Sequence, residues 1–220
     1  MEQREKSKTK PVRQKQPGDE LVMAGYMALA GTAAAVRSEW DILQKRLPEA
    51  FLQNILEQEK EQTARILALS EEILSGGDFA GAGLSAWHRL GEAGVYRGLW
   101  EEAGRRNMGF LVRLSALPVR QETIEVCEIL EMNPYSLNSQ GCLLLSALHG
   151  GRLCRCLEEL GWPAAVVGEW KVGNEKTLIH GTVKSCLNRP EEDEWLRFLR
   201  RKEGKPCTSR QEKEEESRYA

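Results

Sequence analysis

Apolar and polar positions change their spacing along the chain, and each spacing predicts a type of element. Over residues 110–116 apolar side chains recur at every second position, which is the period of a β-strand. Over residues 48–75 they recur at every third or fourth position, which predicts a long amphipathic helix that stops at glycines 76 and 77. Residues 58–63 in the middle of this helix are almost wholly polar, so we expect that turn to be exposed to solvent.

The part before the long helix predicts a strand, a glycine turn and a helix start. Residues 20–29 are small or apolar, which indicates a buried strand that ends at Gly31. Thr32 then stands where it would cap a helix that continues to about Leu47. The later pattern predicts a glycine-rich loop over 76–83, helices over 94–104, 121–130, 151–160 and 191–200, and strands over 110–116, 142–147, 164–170 and 176–180.

The order of these elements indicates the fold class. Strand, helix, strand, helix, strand and strand follow one another in the second half, which describes a split βαβ, partly ferredoxin-like arrangement. We therefore expect an α+β fold in which a mixed sheet is packed with helices on one face. The two long N-terminal helices would bury their apolar sides against the other face or an edge.

Composition and charge limit the classes of function. Of the 220 residues 41% are hydrophobic, which is enough for one core, and the net charge of -2 is spread along the chain. We expect no nucleic-acid partner, because no single-sign field is present. Residues 1–18 and 201–220 are polar and highly charged, so we expect two disordered tails, the first of them basic, around one domain over 19–200.

The six cysteines and the apolar runs bear on the cellular compartment. No secretory signal opens the chain, so reduced thiols in a cytoplasmic protein are expected. The longest apolar run, 21–36, is shorter than the roughly twenty residues that span a bilayer, so we expect no membrane segment. Cys154 and Cys156 lie near His149, but positions two apart on a helix face different sides, so we expect no metal site.

Several short motifs follow one another in a recognisable order. Residues 86–94 read Ala-Trp-His-Arg-Leu-Gly-Glu-Ala-Gly and precede an apolar helix. The other motifs are Ala-Gly-Thr at 30–32, Pro-Val-Arg at 118–120 before a helix, Asn-Pro-Tyr-Ser-Leu at 133–137, Ser-Gln-Gly at 139–141 before an apolar strand, Ala-Val-Val-Gly at 165–168 and Gly-Asn at 173–174. Their order and spacing resemble the C-terminal domain of the AIR-synthase superfamily, most closely its hydrogenase-maturation and AIR synthase-related branch. The likeness covers about residues 20–178.

The resemblance implies an α/β C-terminal domain that complete members carry behind an N-terminal domain binding ATP and metal. Those relatives use ATP to activate an oxygen of an amide, a formyl group or a similar substrate. No aspartate-rich or glycine-rich nucleotide motif precedes residue 19 here. The segment at 87–94 resembles a motif that the family writes as Met-His-Asp-x-Thr-x-Gly-Gly. Here Arg89 stands at its aspartate position, Gly91 at its threonine and Ala93 at the first glycine of its final pair. Ala30 replaces the glutamate of the front motif.

The candidate functional residues lie in these motifs. Helix starts present backbone N–H groups that can bind an anion. The candidates for anion or phosphate binding are Gly31, Thr32, Arg89 and Gly94, and the candidates for catalysis are His88 and Glu92. The alternative interpretation is that the helix starts are ordinary caps and that His88 is a packed side chain.

Two functions remain open at this stage. The first is an interaction or scaffold protein without chemistry of its own, which forms a homodimer or another homo-oligomer. The second is a half-enzyme that joins a separate ATP-binding chain in an ATP-dependent synthase or hydrogenase-maturation dehydratase reaction. We expect no cofactor in the chain itself, and ATP and magnesium only where a partner chain supplies the site. A small-anion binder and a decayed relative without a role are the remaining alternatives.

Overall fold

One mixed sheet with helices packed around it forms the body of the protein. The computed structural model of the chain describes residues 14–75, 78–105, 107–190 and 192–204. The strands in this part are β1 (Glu20–Ala24), β2 (Leu84–Arg89), β3 (Gly109–Arg113), β4 (Leu143–Ala147), β5 (Ala164–Lys171), β6 (Lys176–His180) and β7 (Val183–Cys186). The helices are α1 (Leu29–Ser38), α2 (Trp40–Leu43), α3 (Glu49–Ser75), α4 (Gly94–Gly104), α5 (Gln121–Ile129), α6 (Gly150–Glu159) and α7 (Glu194–Lys202). The predicted α+β class is confirmed.

The sheet topology brings distant chain segments together at one end of the strands. The strand order is β2-β4-β1-β5-β3-β6-β7, and every neighbouring pair is antiparallel except β3 and β6. β1 and β2 therefore run in the same direction on either side of β4. Their carboxyl ends lie at the end of the sheet where β4 and β5 begin. The segments that follow β1 and β2 and precede β4 and β5 can contact one another there.

Both faces of the sheet are covered. Along β1, Leu21 and Met23 contribute to one core cluster, with residues of α1, α4 and α5, whereas Val22 and Ala24 contribute to a second cluster with residues of α6. This is the period of two that a strand imposes on its side chains. The expectation that helices of the second half cover a single face is thus wrong, because α6 packs opposite α4 and α5.

Helix α3 passes from one face to the other. Leu52 and Ile55 in its first half belong to the cluster with α1, and Ile66 in its second half belongs to the cluster with α6. Between them, Gln62 is only 8% exposed, and its amide accepts from Tyr26 N at 2.8 Å and donates to Tyr26 O at 3.0 Å. The prediction of a solvent-exposed middle turn is wrong for Gln62, which satisfies buried backbone at the crossing point, whereas Lys60 and Glu61 are exposed as expected.

The first strand and helix also differ from prediction. β1 ends at Ala24, and α1 begins at Leu29 after Ala28, which has a left-handed φ of 60°. Thr32 lies inside α1 instead of capping it, and its hydroxyl donates to Ala28 O at 2.8 Å. α1 ends at Ser38, so the helix expected to reach Leu47 is interrupted.

Strands β2 and β7 were not predicted. They form the two edges of the sheet, and none of their residues except Ser85 is buried. Apolar alternation in a strand reflects the burial of one of its two faces, and neither face of these strands is well buried. Neither strand therefore carries the period on which the prediction relied.

The chain packs against the domain earlier than the expected boundary at residue 19. Lys15 is only 6% exposed, and Gly18 N donates to Trp170 O at 2.8 Å. At the other end α7 continues to Lys202, beyond residue 200. The rest of the two expected tails, 1–13 and 205–220, lies outside the described residues. In the described part, no helix combines the length and apolar character needed to cross a membrane.

Candidate functional site

Three of the sequence motifs meet at the end of the sheet that the carboxyl ends of β1 and β2 form. Gly31 N donates to Asn138 O at 2.9 Å, and Ser139 N donates to Gly91 O at 3.0 Å. The Ser139 hydroxyl accepts a hydrogen bond from Ala28 N at 2.9 Å. The loop over 135–139 is thus bonded to the starts of both α1 and α4. We call residues 28–32, 91–94 and 135–139 the motif cluster.

The glycines of the motif cluster permit close packing. A Cβ atom on Gly31 would lie 2.7 Å from Leu137 Cδ1 and 3.0 Å from Asn138 N. A Cβ on Gly94, which has a φ of +60°, would lie 2.8 Å from Tyr135 O. Real Cβ atoms essentially never lie closer than 3.0 Å to another heavy atom. These two motif glycines are therefore explained by the approach of the loop to two helices.

The amides expected to be free at the start of α1 have partners within the chain. Gly31 N is bonded to Asn138 O, and Thr32 N donates to Ala28 O at 2.8 Å. Thr32 is fully buried. The candidate anion site at Gly31 and Thr32 stays a prediction, but both of its amides have partners within the chain and both residues are buried.

At the start of α4 the chain supplies its own carboxylate. Ala93 N donates to Asp193 Oδ2 at 2.7 Å, while Asp193 Oδ1 accepts from Trp195 N at 2.9 Å. Gly94 N donates to Gly91 O at 3.1 Å. One carboxylate thus caps α7 and also contacts the start of α4. Burial raises the pKa of Asp193 despite the two N–H donors, and the nearby Glu92 and Glu194 add to the increase.

Sequence reasoning did not identify Asp193. An aspartate directly before a predicted helix is a typical N-cap, so its contact with Trp195 could have been expected. Its contact with Ala93 could not, because the two residues are 100 positions apart.

Four candidate residues border one groove, and two lie elsewhere. His88, Arg89, Glu92 and Gly94 line a shallow groove of about 330 Å³ beside α4. Gly31 and Thr32 are not among its lining residues. Arg89 Nε donates to Ser70 Oγ on α3 at 3.2 Å, so this guanidinium is held by α3. The groove is thus lined by residues of the segment 88–94, and its arginine is bonded to the neighbouring helix α3.

His88 lies between two carboxylates of α4. Its Nδ1 is 3.5 Å from Glu102 Oε1, and its Nε2 is 3.6 Å from Glu101 Oε2. Burial lowers the pKa of His88 below its usual 6.5 and outweighs Glu102 and Glu101, and the cations Arg105 and Lys15 act in the same direction as burial. A neutral imidazole has one N–H donor and one acceptor nitrogen, so it can donate to only one of these two carboxylates.

A buried polar network continues from His88 to the N-terminal segment. Lys15 Nζ lies 2.7 Å from Glu102 O, 3.4 Å from Glu102 Oε2 and 3.8 Å from the centre of the Trp170 ring. Arg105 also pairs with the Glu102 carboxylate. The Trp170 indole N–H donates to Ser146 Oγ at 2.8 Å. Sequence reasoning assigned Lys15 to a solvated tail and missed this network.

The cysteines in the described part form no disulfide. Burial raises the pKa of the Cys127 thiol to about 12 and also raises that of Cys142 well above its usual range. Buried thiols of this kind stay protonated and unreactive. Cys154 is buried and Cys156 half-buried, and no group of three or more histidine, cysteine or acidic side chains within the described residues could hold a metal ion.

Comparison with known proteins identifies solved structures that share this fold. No family model matches the chain, and no curated protein matches it. The structure superposes on the hydrogenase maturation protein HypE of E. coli with a TM-score of 0.62 and 22% identity, over 85% of this chain and 54% of that chain. A chain in the crystal structure of a HypE–HypF complex matches with a TM-score of 0.57 and 14% identity, over 81% and 55%.

A third solved structure extends the comparison beyond the HypE proteins. Thiamine-monophosphate kinase from Stenotrophomonas maltophilia matches with a TM-score of 0.51 and 16% identity, over 73% of this chain and 50% of that chain. The chain therefore has the fold of AIR synthase-related proteins, and the resemblance seen in the motifs is confirmed at the level of the fold. The chain spans about half the length of the solved proteins that it matches.

Proposed function

We propose that the chain is an accessory interaction or scaffold protein with an AIR synthase-related fold and without catalysis of its own. The observation that carries this proposal is the hydrogen bond from Ala93 N to the Asp193 carboxylate. A phosphate at the start of α4 would need the same amide and would meet the negative charge of Asp193 at close range. The protein's own side chain thus takes the position that an anionic ligand would use.

The rest of the motif cluster supports the same proposal. Gly31 and Gly94 are explained by packing against Leu137 and Tyr135, and the Gly31 and Thr32 amides have backbone partners. Residues that bind a ligand usually keep donors directed at it. Here the backbone donors hold α1, the start of α4 and the loop over 135–139 together, as a rigid scaffold requires.

A second function has one observation in its favour. The chain spans about half the length of its solved relatives, one of which is HypE crystallised in complex with ATP. In the half-enzyme alternative, a separate chain supplies the ATP-binding unit and packs against the groove at His88 and Glu92. The proposed partner in either case is a second copy of this chain or a different protein.

The first experiment is size-exclusion chromatography with light scattering on the purified chain, followed by a pull-down from native extract with ATP and magnesium. The scaffold proposal expects a stable homo-oligomer, or a complex whose partner does not bind ATP. Recovery of an ATP-binding chain whose ATP hydrolysis requires this protein would overturn it in favour of the half-enzyme.

Variants separate the two proposals. In a half-enzyme, His88→Ala and Glu92→Ala would reduce the ATP hydrolysis of the complex while the complex stays intact. The matched control is Arg37→Ala, which removes an exposed ion pair with Glu59 away from the groove. A scaffold predicts that His88→Ala and Glu92→Ala bind their partner as the control does and change no turnover.

A further inference from the structure

Strand β2 forms one edge of the sheet and has backbone groups that its neighbour β4 does not use. Within the part of the chain that the structure describes, β4 is the only strand paired with β2. Leu90 N donates to Cys142 O at 3.0 Å, and hydrogen-bonded pairs recur at every second residue of an antiparallel strand. Trp87 and Arg89 lie at the alternate positions. Their N–H and C=O groups therefore point away from β4, toward the open edge.

The outer side of β2 is regular over residues 86–89. The register shift against β4 lies between Leu84 and Ala86, so the last four residues keep the regular spacing of a strand. Edge strands that avoid pairing with other chains are usually short or bulged, or carry lysine or proline. Residues 86–89 contain neither lysine nor proline. The opposite edge strand β7 has only four residues, and one of them is Lys184. Of the two edges, β2 is therefore the one that suits a further strand.

Exposed apolar side chains lie beside both ends of β2. Leu148, which is 49% exposed, donates from its N–H to Gly83 O at 3.1 Å, directly before β2 begins. At the other end Arg89 is bonded to Ser70 on α3, and Leu67 lies three residues before Ser70, on the same side of that helix. Leu67 is 56% exposed. Apolar side chains exposed next to unpaired backbone are typical of a surface that contacts another protein.

The charges beside β2 suit a second copy of the same surface. The groove along α4 is lined by Arg89, Arg97, Glu92 and Glu101, so its formal charge is 2 − 2 = 0. A surface with equal numbers of both signs can face itself across a twofold axis without net repulsion, whereas a surface of one sign would repel its copy. The balance of charge therefore points to a second copy of this chain and away from a strongly acidic or strongly basic partner.

We propose that β2 pairs with β2 of a second copy, antiparallel about a twofold axis at His88, so that the two sheets join into one. In this register Trp87 lies opposite Arg89 of the second copy, and each donates its N–H to the C=O of the other. The twofold axis repeats the pair, so all the outward groups of these two residues are used in four hydrogen bonds. An isologous contact of this kind closes at two subunits. The proposal rests on the scaffold function and names the surface through which the homo-oligomer forms.

Sedimentation velocity on the full chain over a range of concentrations tests the dimer. Arg89→Pro removes one outward N–H from each copy without touching the pairs with β4, and so should raise the Kd of the dimer at least about tenfold. Arg89→Ala keeps that N–H and should dimerise about as the wild type does. A wild-type chain that stays monomeric at every concentration would overturn the proposal.

The matched control lies on the opposite edge. Leu187 N donates to Lys176 O at 2.7 Å, so the N–H of Lys184 also points outward, from β7. Lys184→Pro should therefore dimerise as the wild type does. If Lys184→Pro and Arg89→Pro weaken the dimer equally, with the fold of both verified by thermal unfolding, β2 is not the surface that pairs.

A disulfide cross-link tests the register and remains informative if Arg89→Pro unfolds. In the proposed dimer His88 lies opposite its own copy in a non-hydrogen-bonded pair, where Cα atoms are about 4.5 Å apart, within the roughly 4.4 to 6.8 Å that a disulfide spans. With Cys186 and Cys207 replaced by serine, His88→Cys should form a linked dimer on oxidation. Ala86→Cys, two residues from the axis, should not. A dimeric sample in which His88→Cys does not cross-link contradicts the register.

Failure of this proposal and failure of the scaffold function are distinguishable. A monomeric chain rules out the β2 surface but leaves the scaffold proposal to the pull-down. Recovery of an ATP-binding chain that needs this protein for ATP hydrolysis overturns the scaffold, whereas pairing through β2 is still measured on the purified chain alone. Because the pairing uses backbone groups, His88→Ala and Glu92→Ala should keep the dimer, as Arg37→Ala does.

Discussion

The ammonium of Lys15 lies 2.7 Å from the carbonyl oxygen of Glu102, and their side chains are only 2% and 6% exposed. Lys15 also faces the Trp170 ring, so a charged group of the N-terminal segment is enclosed by α4 and β5. Breaking a buried ion pair by removing one partner is more costly than the pair's own net contribution, because the remaining charge is left without compensation.

Lys15→Met should lower the free energy of unfolding by about 2 to 3 kcal/mol. The expected loss in the free energy of unfolding is smaller than the largest losses for a broken buried ion pair, because Arg105 still pairs with the Glu102 carboxylate. Urea denaturation followed by tryptophan fluorescence measures it. The control Arg37→Met removes an exposed ion pair and should cost less than about 1 kcal/mol. Equal losses in the two variants would show that Lys15 is not held as described.

His88 should titrate below 6.5 in the folded protein, since burial lowers its pKa. Between the folded-state pKa and 6.5 the unfolded chain binds more protons than the folded chain. The contribution of neutral His88 to stability is therefore present above 6.5 and is lost as the pH falls through the folded-state pKa. Stability of the wild type relative to His88→Gln should decrease on acidification through this window.

NMR titration of the His88 ring protons measures the pKa directly. A measured pKa for His88 above 6.5 would mean that Glu101 and Glu102 dominate over burial. The same shift should shrink in Lys15→Met, because Lys15 acts in the direction of a lower pKa.

Gly31→Ala should destabilise the protein by about 3 kcal/mol. The new methyl would lie within 3.0 Å of Leu137 and Asn138, so α1 and the loop over 135–139 must separate. The matched control is Gly151→Ala on α6, where an added Cβ meets nothing within 4 Å. That control should be neutral or stabilising by about 0.5 kcal/mol from helix propensity. Thermal and urea unfolding of both variants test the difference in sign.

Ala28→Gly and Ala93→Gly should each stabilise the protein by about 0.5 to 1 kcal/mol. Both alanines have positive φ, at 60° and 55°, and an L side chain is strained there. Ala35→Gly is the control, because Ala35 lies within α1 without positive φ, and it should destabilise by about 1 kcal/mol. Destabilisation in all three variants would show that positive φ is not the source of strain at positions 28 and 93.

Local pattern predicted much of the element order and less of the packing. The two-residue period over 110–116 predicted β3, and the helical period over 48–75 predicted α3. Edge strand β2 was missed because it lacks that alternation. Gln62 was assigned to solvent because a polar residue in a helix is usually exposed, whereas the crossing of α3 between the two faces of the sheet buries it.

For the candidate site, too, local motifs were recognised in the sequence, whereas the contacts between them were not. The motifs marked the segments at 30–32, 91–94 and 135–139, and the structure shows these segments bonded to one another, a contact that was not predicted. The motifs did not indicate whether their backbone groups bind a ligand or hold the segments together. The helix starts at Gly31, Thr32 and Gly94 were expected either to bind an anion or to be ordinary caps, and the structure pairs the amide of Gly31 with Asn138 and that of Ala93 with Asp193.

The sequence by itself determined the α+β class, most of the helices and central strands, and the order of motifs, because periodicity and turn residues act over a few positions. Only the tertiary structure decided that Lys15 is buried against Glu102, 87 positions away, and that Asp193 reaches Ala93, 100 positions away. Such contacts depend on the path of the chain around the sheet. Whether a charged side chain is a solvated tail residue or a buried cap is set by that path.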